Sequence, residues 1–249
     1  MFISEFLHTF LDLFYPRTCL HCDRSLNDSY ELYICEDCKK QIRHVHDHAC
    51  VRCGASLGPH VKSAEKEGCL FCKGKYLPFN TLTSLTYYDG VIKTLIHKFK
   101  YSRQKFLLSV LNDMVTTNEK IKEIIPCVDV IVPVPLHWLK KLHRGFNQSE
   151  LLSIGIQKHF LKPISKNNLC RIKNTESQTH LTKSQRRLNI RNAFFVKDPK
   201  LFKGKKILLV DDVLTTGVTA SECSKKLKKA GAESVHLLIL AIADYHSYW

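Results

Sequence analysis

No run of about 18 consecutive apolar residues occurs in the 249-residue chain, so no transmembrane span is expected. Acid is scarce as well. Lys and Arg number 38 against 23 Asp and Glu, a formal net charge of +15. A surplus of that size points to an anionic partner: nucleic acid, a phosphorylated metabolite or acidic lipid. The N-terminus lacks the basic opening of an export signal, and Glu5, His8 and Asp12 interrupt its apolar run. The expected compartment is the cytoplasm. Cysteine thins out after residue 73, where Cys127, Cys170 and Cys223 stand isolated and read as small core or surface residues.

What is present suffices for a core. Hydrophobic residues make up 44% of the chain, enough for one large domain or one plus a small one. Phe2, Ile3, Phe6, Leu7, Phe10, Leu11 and Phe14 recur at helical spacing, so residues 1–15 are expected to form an amphipathic helix. Its polar face is not basic, which favours docking on the protein itself over a membrane surface.

Eight of the 11 cysteines lie before residue 73, all in C-x-x-C pairs: Cys19/Cys22, Cys35/Cys38, Cys50/Cys53 and Cys69/Cys72. Such a turn puts two thiolates on one side of a tight loop, and two turns complete a tetrahedral four-cysteine site. The simplest closure joins the first two pairs on one zinc ion and the last two on another; an interleaved pairing also fits the spacing. Disulfides would suit a secreted chain. Redox catalysis would need one pair on a thioredoxin-like unit, and an iron–sulfur cluster also takes four cysteines. Closed all-cysteine sites are typically structural, so two structural zinc ions are expected over residues 16–76. They would hold together a segment too short for its own apolar core. His44, His46 and His48 read as exposed loop residues, and 58–68 as a solvated loop.

From residue 77 to 249 strands and helices alternate. Strands are expected at 81–88, 128–135, 205–210 and 234–243. Helices are expected at 91–100, 105–115, 147–160 and 219–231. The pattern implies an α/β domain, a parallel sheet with flanking helices, preceded by the small four-cysteine zinc-ribbon segment. In such sheets ligands bind beyond the carboxyl ends of the strands.

One stretch there carries chemistry. Ile207–Val210 is a buried-strand run that meets Asp211 and Asp212 where the chain is expected to leave the sheet. Burying two adjacent carboxylates unpaired would cost several kcal/mol, roughly. The turn that follows, Thr215-Thr216-Gly217-Val218-Thr219, offers hydroxyls and backbone N–H groups at a helix start, a cradle for phosphate. Carboxylates beside it would accept from vicinal hydroxyls and could bind Mg²⁺. Phosphate next to a diol describes a ribose 5-phosphate.

The run Ile207–Thr219 resembles the phosphoribosyl pyrophosphate (PRPP) motif of type I phosphoribosyltransferases. RGFNQ at 144–148, the cysteine pairs and the stretch 175–196 are similar to the ComF family specifically. That resemblance implies a zinc-binding segment joined to a phosphoribosyltransferase-like domain, with PRPP and Mg²⁺ as ligands. It implies that Asp211 and Asp212 hold the ribose hydroxyls, within a PRPP motif that continues through Val213, Leu214, Thr215, Thr216, Gly217, Val218 and Thr219. It gives Pro133, Val134, Pro135, Lys140, Lys141 and Arg144 to a pyrophosphate loop, and Gln178, Arg186, Arg187, Asn189 and Arg191 to a flexible loop over the site. The role implied is handling of single-stranded DNA during natural transformation, with a DNA-uptake helicase as a partner. Phe99, Tyr101, Trp138 and Phe146 are candidates for base stacking. Two other readings start from the same motif: a nucleobase salvage phosphoribosyltransferase, and a zinc-ribbon module that senses PRPP without turnover.

Overall fold

The computed structural model describes residues 17–26, 33–45, 49–55, 57, 68–70, 72–102, 104–175 and 183–243. The helix expected at 1–15, most of the loop at 58–68 and Gln178 lie outside them. In chain order the described elements are helix α1 (Glu36–Lys40), strand β1 (Thr81–Tyr87), and helices α2 (Gly90–Tyr101), α3 (Leu107–Thr116) and α4 (Glu119–Ile124). Then come β2 (Val130–Pro133), α5 (Trp138–Arg144), α6 (Gln148–Phe160), β3 (Leu169–Arg171), α7 (Lys183–Ile190) and β4 (Phe194–Val196). The last are β5 (Lys206–Leu214), α8 (Val218–Lys229) and β6 (Ser234–Ile242).

Four strands form a parallel sheet in the order β1-β6-β5-β2, and β3 pairs antiparallel with β4 beside it. The unbroken apolar run of β5 follows from burial on both faces. Ile207 and Leu209 join one core with Cys223 and Leu227 of α8 and Phe194 of β4. Leu208 and Val210 join the other, with Ile96 and Phe99 of α2, Leu111 of α3 and Leu152 and Ile156 of α6. The period of two along the strand divides these side chains between the layers.

The cysteine segment wraps the β1 side of the sheet. Cys19, Cys35 and Cys38 belong to the α2–α3–α6 core, and Cys50, Cys53, Cys69 and Cys72 to the opposite one. Arg43, Val45 and Val51 lie along β1. Tyr87 N–H donates to Arg43 O and Val45 N–H to Leu85 O, both at 2.9 Å, and Leu82 N–H donates to Val51 O at 2.9 Å. An exposed strand edge would offer unpaired backbone groups to any other strand, and this pairing removes them. At the other edge, Ile131 donates to Pro163 O and accepts from Ser165 N–H, each at 2.8 Å.

Two expectations need correction. Strand β5 does not end at Val210: it stays paired to β6 as far as Leu214↔Ile242, while β2 stops at Pro133↔Val210. The apolar length of β6 keeps β5 extended, so the two carboxylates sit inside a strand whose β2 side has already opened. The residues after Pro135 are also not all loop. Residues 138–144 form α5, whose start is capped by His137 Nδ1 accepting from Leu139 N–H at 3.3 Å. It stops at Gly145, φ +86°, a left-handed C-terminal cap for which glycine carries no steric penalty.

Helices α3 and α6 approach closely at Gly155, where a Cβ would lie 2.3 Å from the Asn112 side chain. Gly155→Ala should therefore destabilise the protein by about 1–3 kcal/mol in urea unfolding through overpacking. Adding Asn112→Ala should recover most of that loss. No recovery would place the strain elsewhere.

Candidate functional site

Each group of four thiols is gathered as one ligand set. The sulfurs of Cys19, Cys22, Cys35 and Cys38 lie within 4.8 Å of one another, as do those of Cys50, Cys53, Cys69 and Cys72. This is sequential closure; the interleaved pairing is not formed. The Cys22–Cys35 sulfurs are 3.7 Å apart, Cys50–Cys72 3.8 Å, Cys53–Cys69 3.5 Å and Cys69–Cys72 3.9 Å. A tetrahedral zinc ion with Zn–S of about 2.3 Å sets such separations at about 3.8 Å. The donor set and its spacing fit structural zinc.

The second site is a cleft of about 240 Å³ at the carboxyl ends of β2 and β5, between the residues after Pro133 and the start of α8. Its floor is Asp211 and its far wall is the turn 215–219. Gly217 sits at φ +67°, in the left-handed region, and reverses the chain into α8. First-turn N–H groups of a helix have no acceptor within the helix and carry its positive end. Val134, Pro135, Lys140 and Arg144 close the near side.

Alternation along β5 separates the two carboxylates. Asp212 turns to the end of α2 and pairs with Lys100, Nζ to Oδ2 at 2.8 Å, with the two side chains 17% and 10% exposed. Burial alone would depress the Lys100 pKa, but Asp212, with Asp211 and Tyr88 adding to it, reverses this and raises it. Asp211 accepts from Ser149 Oγ–H at 2.8 Å and from Asp212 N–H at 2.9 Å, both on Oδ1. Burial, reinforced by the Asp212 charge, pushes Asp211 up to about 7. Burial lowers Arg171. Burial also lowers Lys140, and Arg171 and Arg144 nearby push it further down. Crowded cations of this kind gain most from an anion placed among them.

Of the residues singled out in the sequence, the cleft unites Asp211, Val213–Thr219, Val134, Pro135, Lys140 and Arg144. Lys141 instead pairs with Glu150 at 2.7 Å, and Asp212 serves from behind through Lys100. Arg186, Arg187 and Asn189 fall on α7, so that part of the stretch 175–191 is helix rather than loop. Of Gln185 and residues 188–191, none lines the cleft. Phe99 and Phe146 are core residues, 0% and 5% exposed and stacked at 5.2 Å, whereas Tyr101 and Trp138 are 63% and 64% exposed.

Four contributors were given no site role by the sequence: Lys100, Ser149, Arg171 and Asn147, the last lying within RGFNQ. Asn147, Gln148 and Ser149 act in series. Asn147 Nδ2 donates to Val134 O at 3.0 Å, Gln148 Oε1 accepts from Arg144 at 2.7 Å, and Ser149 meets Asp211. A polar triplet just ahead of Leu151, Leu152, Ile154 and Ile156 is the signal that marks them. Lys100 had one too, since it stands four residues after buried Ile96 and shares its face.

The acid pair is a poor host for Mg²⁺, which demands about six oxygens at 2.0–2.1 Å. One oxygen of Asp212 is bound to Lys100 and one of Asp211 already accepts two hydrogen bonds.

A double zinc ribbon domain matches residues 10–74 and a phosphoribosyl transferase domain matches 136–248. Competence protein F of Haemophilus influenzae is 30% identical over 234 residues, 92% of this chain and 99% of the relative. The chain belongs to the ComF family. DNA utilization protein YhgH of Escherichia coli K12 is 30% identical over 83% of this chain and 89% of its own. Competence protein ComFC of Streptococcus pneumoniae is 26% identical over 81% and 84%. The solved adenine phosphoribosyltransferase of Leishmania tarentolae aligns with a TM-score of 0.38 at 14% identity, over 62% of this chain and 76% of that one. The family's parallel sheet with flanking helices and its paired zinc-ribbon sites are both present. No described helix is long and apolar enough to cross a membrane.

Two outcomes are expected. Cys19→Ser or Cys50→Ser should each remove one of the two zinc ions, read by atomic absorption, and expose the β1 amides to hydrogen exchange. Unchanged zinc would contradict the thiolate assignment. Asp211 keeps its proton in the folded state to about 7, against 3.8 when free. Folded protein thus binds more protons over that window, and stability should fall as pH rises through it. Asp211→Asn should flatten this decline and stabilise the protein at pH 8 by roughly 1–3 kcal/mol. An unchanged pH profile would mean that Asp211 is ionised throughout.

Proposed function

We propose that the cleft binds PRPP and that the protein handles single-stranded DNA in natural competence. The observation that carries the first part is the meeting, in one cavity, of a helix N-terminal turn, a carboxylate and the cations Lys100, Lys140, Arg144 and Arg171. The turn 215–219 would take the 5-phosphate through N–H and hydroxyl donors. Asp211 would accept from the ribose hydroxyls, with Asp212 holding Lys100 beside them. Val134, Pro135, Lys140 and Arg144 would face the diphosphate. Leaving diphosphate gathers negative charge, and preorganised cations stabilise that charge without reorganising. Magnesium, if carried in, belongs to the ligand's own phosphate oxygens.

The DNA role draws support from the relatives' names, competence protein and DNA utilization protein, and from the surface beside the cleft. A second hollow of about 470 Å³ shares Lys100, Lys140 and Arg144 with the cleft and adds Tyr101, Leu139 and His143. Arg144 lies over the Tyr101 ring at 5.2 Å. Exposed Trp138 and Leu142 continue this surface along α5, none of whose residues is buried. Cations alternating with exposed rings suit a backbone with splayed bases.

Calorimetric titration with PRPP is the first test. The double variant Asp211→Asn/Asp212→Asn should keep its fold and bind at least ~10-fold more weakly, about 1.4 kcal/mol. Retained affinity would refute the diol role. For DNA, fluorescence anisotropy with a labelled oligo-dT should show affinity falling steeply with salt, and Trp138→Ala should cost about 1–3 kcal/mol. Affinity indifferent to salt and to Trp138 would refute the DNA path.

A further inference from the structure

We propose that Lys100 occupies the cation position at the acid pair, so that the cleft takes a phosphorylated sugar without a divalent ion on Asp211 or Asp212. The inference rests on the sugar-phosphate reading of the cleft and adds how its charge is balanced.

The geometry sets Lys100 apart from a surface ion pair. It closes the last turn of α2, on the face of buried Ile96, and its ammonium meets Asp212 Oδ2 at 2.8 Å with both groups largely out of water. Removing one partner of such a pair leaves a buried charge uncompensated, so the contact is strongly held. An ammonium on a covalent stem enters this position with no free ion to dehydrate, whereas Mg²⁺ gives up its water reluctantly.

The remaining donors point the same way. Ser149 Oγ and the Asp212 amide already fill Asp211 Oδ1. Ser149 holds Asp211 toward the start of α6 and Lys100 holds Asp212 toward the end of α2, so with Lys100 in place the two carboxylates do not form one chelate. Lys140, Arg144 and Arg171 line the same cavity, and a divalent ion would add to a field that is already positive. An anionic ligand reverses that balance. The chemistry selected is therefore a sugar phosphate whose anion is met by fixed cations and whose hydroxyls are met by Asp211.

The test uses full-length, zinc-loaded protein in buffer stripped of divalent ions by resin, so that the thiolate sites stay filled. Mn²⁺ serves as a spectroscopic probe of the acid pair, and ribose 5-phosphate, which carries no diphosphate to bring its own ion, serves as ligand. The wild type should take up no Mn²⁺ at the acid pair and should bind ribose 5-phosphate with affinities within about twofold with and without Mg²⁺. Lys100→Met should gain a Mn²⁺ site that Asp212→Asn removes, and its sugar-phosphate binding should come to depend on Mg²⁺ by at least ~10-fold. Lys100→Arg should gain no Mn²⁺ site, since a guanidinium still opposes Asp212. If Lys100→Met does not fold, Lys100→Gln takes its place.

Wild-type Mn²⁺ uptake that Asp212→Asn abolishes would overturn the proposal, as would a Lys100 variant that gains no site. Failure of ribose 5-phosphate to bind under any condition would sink the sugar-phosphate reading instead, and the Mn²⁺ titration would still decide the place of Lys100.

Discussion

A parallel sheet must be covered on both faces and guarded at both edges, and the rest of this structure follows from that constraint. The alternating apolar side chains of β5 require a layer on each side, supplied by α2, α3 and α6 on one face and by α8 with the β3–β4 pair on the other. Strand β1 would be left as an open edge. The cysteine segment closes it, with the backbone of Arg43, Val45 and Val51 bonded to β1 and one four-cysteine group joined to each face. The zinc ribbons are thus not a module hung on a finished domain. Their buried cysteines belong to the same two cores as the sheet, so metal binding and the packing of β1 are coupled free energies.

The same sheet sets the electrostatic problem at the site. Two consecutive carboxylates in a strand cannot both contact one counter-charge directly, because successive side chains leave on opposite sides. The fold answers with two different solutions. Asp212 is neutralised by Lys100 from α2, while Asp211 receives hydrogen bonds and holds its proton near neutrality. Helices α2 and α6 therefore have a double duty: their apolar faces build the core, and Lys100 at the last turn of one and Ser149 at the first turn of the other make the acid pair tolerable.

Features written in local spacing are legible in the sequence itself. The C-x-x-C turns, the apolar runs of β5 and β6 and the turn Thr215–Thr219 each fix their own geometry over a few residues. The end of β5 was not legible, since its persistence to Leu214 depends on β6 lying alongside, a partner 28 residues away in register at Ile242. Helix α5 was hidden for a related reason. Trp138, Leu139 and Leu142 give no buried face to read, and the helix is held by its two ends, His137 and Gly145, rather than by a core.

Phe99 and Tyr101 show where composition misleads: two aromatics a single residue apart, one sealed against Phe146 and the other open beneath Arg144. Only the helical phase set by Ile96 separates them. The site divides along the same line. Its acids and its turn are short side chains and backbone, which act where the sequence puts them. Its cations stand on long stems from α2, α5 and β3, and they meet at the cleft only because three separate elements end there. Chemistry carried by the backbone and by short side chains is therefore readable as a motif. Chemistry carried by lysine and arginine becomes readable only when the topology has brought the element ends together, and in this fold that is where the charge balance of the site is decided.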